Sequence, residues 1–273
     1  MPASKIAKLG SAWASLGLVS MVAAVLIACG SSSSKQQIYV ADPEADSVMI
    51  FPLTANGNVA PSATITGANT GLNFPLSLVL DTSGKIYVAN FDGETVTVYA
   101  AGASGNATPT ATISGANTGL DGPGGIAFDA SGNIYVTNIG TNTVTVYAAG
   151  ASGNTTPTAM IDGSNTGINF PEKVAIDASG KMYVANFNTN SVTVYAAGAS
   201  GNATPTATIS GSNTGLLDPA GIALDSAGKI YVANADGPSV TVYAAGASGN
   251  TAPMATISGS ATGFVGPWGV TVH

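Results

Sequence analysis

The chain has 273 residues, 45% hydrophobic and only 8% charged, so it can bury a large core and is not a disordered polyelectrolyte. Its formal net charge is −7 and every cation is Lys, which leaves no basic surface for a phosphate backbone and excludes nucleic-acid binding. With 35 Gly and 14 Pro, the composition is that of many short strands joined by tight turns.

Residues 1–28 read as a signal peptide. Lys5 and Lys8 give a positive start, and 16–28 is an apolar and small-residue run of the length of a secretory hydrophobic region. It ends in Leu26-Ile27-Ala28-Cys29, followed by Gly30 and a Ser run. This resembles a bacterial lipoprotein signal, in which an aliphatic residue and two smaller ones precede the lipidated Cys. The resemblance implies cleavage before Cys29, lipidation of Cys29 and attachment to a membrane, each buried methylene contributing ~0.8 kcal/mol. An uncleaved anchor is the alternative. The implied address is the bacterial cell envelope. The outer membrane is favoured where the host has one, because Gly30 is not the Asp that retains lipoproteins in the inner membrane. Residues 29–37 then form the lipidated Cys and a flexible tether, which reaches at most ~29 Å at ~3.6 Å per residue. Cys29 is the only Cys, so the body must be held by packing alone.

From residue 38 the chain repeats. The segment 134–150, IYVTNIGTNTVTVYAAG, has counterparts starting at Ile38, Ile86, Met182 and Ile230, each 48 residues from the next. A fixed period of this size signals a solenoid, propeller or array. One unit reads as four strands. Strand a (GIAFD, 125–129) and strand b (134–138) are apolar on both faces, as in a sheet covered on both sides. Strand c (143–149) alternates Thr and Val and ends in Tyr. Strand d (158–161) is the most polar and follows Pro157, the marks of an edge. Four antiparallel strands graded from buried to exposed, repeated radially, make a β-propeller blade. The motif GIAFDASGNIYVTN, with copies such as GIALDSAGKIYVAN, resembles the NHL and YVTN repeat propellers over 38–273. Those families include enzymes, binding modules and surface proteins, so the resemblance implies a fold more than a function.

The fold expected is all-β, a five-bladed propeller of four-stranded antiparallel blades. The repeat opens on strand b at Ile38 and ends on strand a at 270–273. Three N-terminal strands and one C-terminal strand should therefore close the ring, as a monomer. The nine Tyr all sit at repeat positions and read as blade-to-blade packing. Asp81, Asp129, Asp177 and Asp225, with Gly three residues on, read as turn residues. Phe74 occurs with Phe91 and Phe170 with Phe187, and each pair is expected to pack within its blade.

Variation between repeats falls in the pair after the strand-a Pro and in the b–c loop, which emerge on the same face. That face carries Asp42, Glu44, Asp46, Asp92, Glu94, Asp121, Glu172, Asp218 and Asp236, with Lys173 its one cation and Trp268 its Trp. Glu172, Lys173, Trp268, Asp92, Glu94, Asp42, Glu44 and Asp46 are the candidate ligand residues, and an acidic mouth favours a cation, glycan, peptide or envelope protein over an anion. Asp42, Asn90, Asn138, Asn186 and Asn234 form a repeat-wide ring expected to cap the b–c turns rather than bind.

Catalytic equipment is sparse. His273 is the only His, whereas NHL-like propeller lyases use several, and no Ser-His-Asp set or phosphate loop is present. No cofactor is called for. The alternative is a lactonase-like hydrolase holding Ca²⁺ or another divalent ion near Glu172. DPEAD at 42–46 lacks the full Ca²⁺-loop spacing, and the N-x-T triplets at Asn106, Asn154 and Asn202 lie in repeated turns. The sequence therefore points to non-catalytic binding or scaffolding at the envelope, with a purely structural adhesion role as a third reading.

Overall fold

The computed structural model describes residues 37–272 and the backbone of Val25–Ile27. Residues 1–24, 28–36 and 273, which hold the rest of the expected signal peptide, Cys29 and the expected tether, lie outside the described residues.

The described chain forms five four-stranded antiparallel sheets arranged as blades in a ring. The first holds β1 (Val25–Ile27), β2 (Gln37–Asp42), β3 (Ser47–Pro52) and β4 (Ala63–Ile65). The second holds β5 (Pro75–Leu80), β6 (Ile86–Asn90), β7 (Thr95–Tyr99) and β8 (Ala111–Ile113). The third holds β9 (Pro123–Phe128), β10 (Ile134–Asn138), β11 (Thr143–Tyr147) and β12 (Ala159–Ile161). The fourth holds β13 (Pro171–Ile176), β14 (Met182–Asn186), β15 (Ser191–Tyr195) and β16 (Ala207–Ser210). The fifth holds β17 (Pro219–Leu224), β18 (Ile230–Asn234), β19 (Ser239–Tyr243) and β20 (Ala255–Ser258). Inner strands β5, β9, β13 and β17 contact one another in succession around the centre.

The core is not inside any blade but between blades. Tyr39, Ala41, Val48, Ile50 and Ile65 of the first blade pack against Leu72, Leu78, Ile86, Val88 and Tyr99 leading into and within the second. The same layer recurs at the next three joints. Strand-d residues Ile65, Ile113, Ile161 and Ile209 are almost wholly buried there, each contributing ~1.5–3 kcal/mol relative to exposure. This bears out the packing role expected of the Tyr residues and explains it: an alternating strand buries one face against each neighbouring blade.

Polar ties lock each joint. Tyr99, Tyr147, Tyr195 and Tyr243 donate through their hydroxyls to the carbonyls of Thr70, Thr118, Thr166 and Thr214, at 2.6–2.7 Å. The strand-d edge is covered as well, since Ile65, Ile113, Ile161 and Ile209 bridge to Gly105, Gly153, Gly201 and Gly249 of the following blade. Beside those glycines, the side-chain oxygens of Asn106, Asn154, Asn202 and Asn250 accept the N–H of Asn69, Asn117, Asn165 and Asn213. The N-x-T asparagines are thus structural ties. The a–b turns follow the expected chemistry, with Asp81 accepting from the N–H of Ser83 and Lys85. In the equivalent Asp129, burial alone would raise the carboxyl, but bonds from Asn133, Ser131 and Tyr135 hold it below its ordinary value.

One edge differs from expectation. The strand paired with β2 is Val25–Ile27, with Val25 opposite Val40, Leu26 opposite Tyr39 and Ile27 opposite Ile38. Residues 270–272 carry no strand pairing in the structure. They nevertheless enter at an inner-strand position, because Trp268 and Gly269 abut Gly221 as Glu172 and Lys173 abut Gly125.

The joint ties are testable. Tyr147→Phe should lower stability by about 1–2 kcal/mol by leaving the buried Thr118 carbonyl without its donor. Equilibrium urea unfolding checks this, and an unchanged midpoint would show that the hydroxyl contributes nothing to the joint.

Candidate functional site

The mouth of the ring is built from the residue after each strand-a Pro. Inner strands β5, β13 and β17 each carry an irregularity there: Pro75, Pro171 and Pro219 pair with the Asn ending the next strand, and pairing resumes two residues on. The skipped residue is Leu76, Glu172 or Ala220. A bulge of this kind re-aims a side chain and is common beside functional sites. Leu76 and Ala220 join Phe91, Ile139, Phe170, Phe187 and Ala235 in one apolar layer, with Phe74 and Trp268 packed against it.

The Phe pairs are formed as expected, with ring centroids 6.1 Å apart for Phe74–Phe91 and 5.6 Å for Phe170–Phe187. Trp268 was expected to stand open at the mouth. Instead it is half-buried and stacks on Phe187 at 5.7 Å and 20°. The small Ala220 and Ala235 of the intervening blade share the layer that it covers. Gly122 is small for a related reason: a Cβ there would meet the Phe91 ring at 2.8 Å. Phe91 therefore packs forward onto the next blade as well as within its own.

Glu172 holds the bulge position that apolar Leu76 and Ala220 fill elsewhere, and it is 2% exposed. Burial pushes its carboxyl up to about 7, partly offset by the charge of Lys173. Lys173 extends into the channel, where its ammonium donates to the carbonyls of Leu76 at 2.9 Å and Gly124 at 3.1 Å. These acceptors lie on the second and third blades, so one side chain of the fourth ties three blades at the centre. Burial pulls the Lys173 ammonium down to about 8, with Glu172 acting in the opposite direction. The backbones are close here: a Cβ on Gly125 would lie 2.8 Å from both the Glu172 carbonyl and the Lys173 Cα. Only glycine permits that approach.

These residues do not fit a resident divalent ion. Two inner-strand carbonyl oxygens, of Leu76 and Gly124, already hold an ammonium. Among the described residues no group of three or more His, Cys, Asp or Glu is gathered. The Asx ring is engaged in the fold, though not as expected. Asp42 does cap its own b–c turn, accepting from Ala45 N–H at 3.2 Å. In contrast, Asn90, Asn138, Asn186 and Asn234 accept the N–H of residues 73, 121, 169 and 217 in the incoming d–a connection. Their amides donate to Thr97, Thr145, Thr193 and Thr241 on strand c.

Of the other candidates, Glu44, Asp46, Asp92 and Glu94 are exposed on the loops and Asp42 is half-buried. Asp46 has a structural task, since its carboxylate accepts the Phe74 N–H of the next blade at 2.6 Å. Asn142 and Asn190 do the same for Phe170 and Asp218. All six have positive φ. The signal for this tie was present in the sequence as a short polar residue recurring at one loop position, but its partner sits a blade away. Asp218 and Asp236 are close enough that, after burial, the charge of Asp236 raises the Asp218 carboxyl. They add to the acidity of this face.

No protein-family model matches the chain, and no curated protein matches it in sequence. Solved structures do match in shape. The WD40 β-propeller domain of Doa1 superposes with a TM-score of 0.61 at 12% identity, over 90% of this chain and 71% of that one. A protein from Lactobacillus plantarum gives 0.59 at 17%, over 82% and 67%. A streptogramin B lyase gives 0.52 at 12%, over 84% and 72%. The fold is a five-bladed β-propeller. At these identities the likeness is one of fold alone.

The buried pair gives a pH prediction. A carboxyl raised in the folded state stabilises below its unfolded value of about 4.3 and loses that contribution as pH rises through about 7. Relative to the parent, Glu172→Gln should therefore gain stability as pH rises from about 5 to about 8, set against the cost of leaving the Lys173 ammonium without its neighbouring charge. Urea unfolding at both pH values checks it. A gain independent of pH would show that Glu172 does not titrate in the fold.

Proposed function

We propose that this protein is a non-catalytic binding or scaffolding propeller, lipid-anchored through Cys29 at the bacterial cell envelope, whose variable acidic loop face meets a protein partner with a basic surface. The observation that carries the reading is the division of labour between the two ends of the blades. The ties and packing that repeat from blade to blade hold the blades together, whereas sequence differences between blades collect in loops of one face. On that face Glu44, Asp92 and Asp236 are exposed. Loops on a rigid scaffold are where binding residues are placed.

The centre of the ring supports the same reading. An apolar layer gathers the residues at the bulge positions and the b–c loops, and the Lys173 ammonium is held by the Leu76 and Gly124 carbonyls of two other blades. That argues against the lactonase-like alternative, which needs the channel for a divalent ion. It also directs a partner to the loops rather than the channel. Among the structural neighbours, BBS1N is described in complex with ARL6DN, at a TM-score of 0.53 and 13% identity over 84% of this chain and 64% of that one. This supports a protein partner as the class, ahead of a glycan or short peptide. A lyase neighbour has a catalytically inactive form made by a His-to-Ala change. The sole His of this chain is His273.

Two measurements test the proposal. Cys29→Ser should move the chain from the membrane to the soluble fraction, and unchanged sedimentation would sink the anchoring. The combined variant Glu44→Gln, Asp92→Asn and Asp236→Asn should recover several-fold less of the envelope protein cross-linked to the parent chain. The parent's own yield should fall with added salt, since exposed charges are screened. A yield indifferent to both changes would remove the acidic face from the account.

A further inference from the structure

Four joints between blades are made alike, and the chain carries both halves of a fifth. On the last blade, Ile257 holds the repeat position of Ile65, Ile113, Ile161 and Ile209, and the backbone N–H of Ala261 that of Asn69, Asn117, Asn165 and Asn213. On the first blade, Gly57 and Asn58 hold the positions of Gly105 and Asn106 and their later copies. Yet Ile257 is 51% exposed where its four counterparts are at most 1% exposed. β20 is exposed along its whole length, and Met254 and Val265 are each 63% exposed. On the first blade Leu53 and Val59 are exposed at 40% and 44%. Matching halves of one joint are thus uncovered in part, although Val40, Ala233, Val240 and Val242 are buried.

The inner-strand slot of the first blade explains why. In the other blades Leu78 pairs with Val88, Ile126 with Val136, Val174 with Val184 and Ile222 with Val232. The repeat therefore sets Val270 opposite Val40, Thr271 opposite Tyr39 and Val272 opposite Ile38. Those three partners are taken, in the same register, by Val25, Leu26 and Ile27. One strand edge cannot hold two strands, because each of its N–H and C=O groups points at a single partner. Trp268 and Gly269 already lie against Gly221, so residues 270–272 approach the slot from the correct side.

We infer that Val25–Ile27 is a place-holder: while it pairs with β2 the joint between the last and first blades stays open, and its departure lets residues 270–272 take the β2 edge and seats Gly57 and Asn58 against Ile257 and Ala261. The occupant of the uncovered face of the last blade is thus the first blade of the same chain. The contacts invoked are those of the four joints already made, displaced by whole repeats. The inference rests on the signal-peptide reading only for the event that removes the segment, since cleavage before Cys29 would take residues 25–27 with it. An edge held by three pairs gives way to one that also brings the apolar faces of two blades out of water.

The test is disulfide trapping in the full chain. With Cys29→Ser removing the native thiol, Ile38→Cys and Val272→Cys place a cysteine on each side of the slot. Residues directly opposite in an antiparallel pair have Cα atoms about 4.5–5.5 Å apart, within the range a disulfide spans. With Val25–Ile27 intact, little intramolecular cross-link should form under mild oxidation. Adding Val25→Asp and Leu26→Pro, which cannot hold the ladder, should raise the monomeric cross-linked fraction at least about fivefold, a proline donating no ladder bond. Hydrogen exchange on the same samples should slow at Ser258 and Ala261, the equivalents of the Ser210 and Asn213 amides that bond the next blade, while protection in β9–β15 is unchanged, which shows that the variant is folded. Equal cross-linking in both chains, or none in either, overturns the inference. A cross-linked dimer would overturn it in favour of a second copy as the occupant. Finally, the intact mass of the chain recovered from bacterial membranes tests the processing reading separately: retention of residues 25–27 there refutes cleavage, while the paired variants still decide the competition for the slot.

Discussion

The structure depends on the joint between consecutive blades. Each blade is a thin sheet whose two faces are both apolar, so no blade has a core of its own and none can bury its residues without a neighbour. The isoleucine of strand d is the clearest case. It leaves water only when the next blade's Tyr, Ile and Val side chains close over it. Because burial of this kind is not directional, it brings blades together without fixing how they sit. Orientation comes from the polar ties: a Tyr hydroxyl on a Thr carbonyl, an Asn oxygen on a backbone N–H, and a Gly bridging to strand d. The Tyr hydroxyl satisfies a carbonyl that would otherwise be buried without a partner.

Seen from the joints, the centre of the ring is a compromise. Inner strands approach so closely that glycine is needed at 125 and 221. The sequence places a carboxyl and an ammonium side by side at this crowded point. Lys173 finds acceptors on two other blades, which repays much of its desolvation. Glu172 has its Lys173 neighbour as its stabilising charge and sits where other blades put Leu or Ala. A buried pair of this kind costs stability when either member is charged alone, and it gives this protein a pH dependence that an all-apolar mouth would lack.

The loop face is the part free to vary, and even there variation is bounded. Asp46, Asn142 and Asn190 differ in identity but hold one geometry, a positive-φ residue whose side-chain oxygen reaches a backbone N–H in the next blade. The Phe residues and the glycine beside them change together because they touch. What is left unconstrained is a short list of exposed acids, and the proposed partner is drawn from the chemistry of that list.

A period of 48 residues, alternating Thr and Val, Pro ahead of strand d and Asp-x-x-Gly turns were enough to read five four-stranded blades and the packing role of the Tyr residues at the four formed joints, because each is a local pattern with one local cause. The Phe pairs were also legible, since a repeat compares a protein with itself. The sequence could name Glu172, Lys173 and Trp268 as exceptions to the repeat but not say where they point. Lys173 bonds to carbonyls 97 and 49 residues away, and Trp268 stacks on Phe187 only because the blade between them carries two alanines. Likewise, the sequence read Val25–Ile27 as part of a signal peptide and residues 270–272 as the strand at the edge of β2. Which of them occupies it is a matter of register and competition in three dimensions, and there the tertiary structure alone decided.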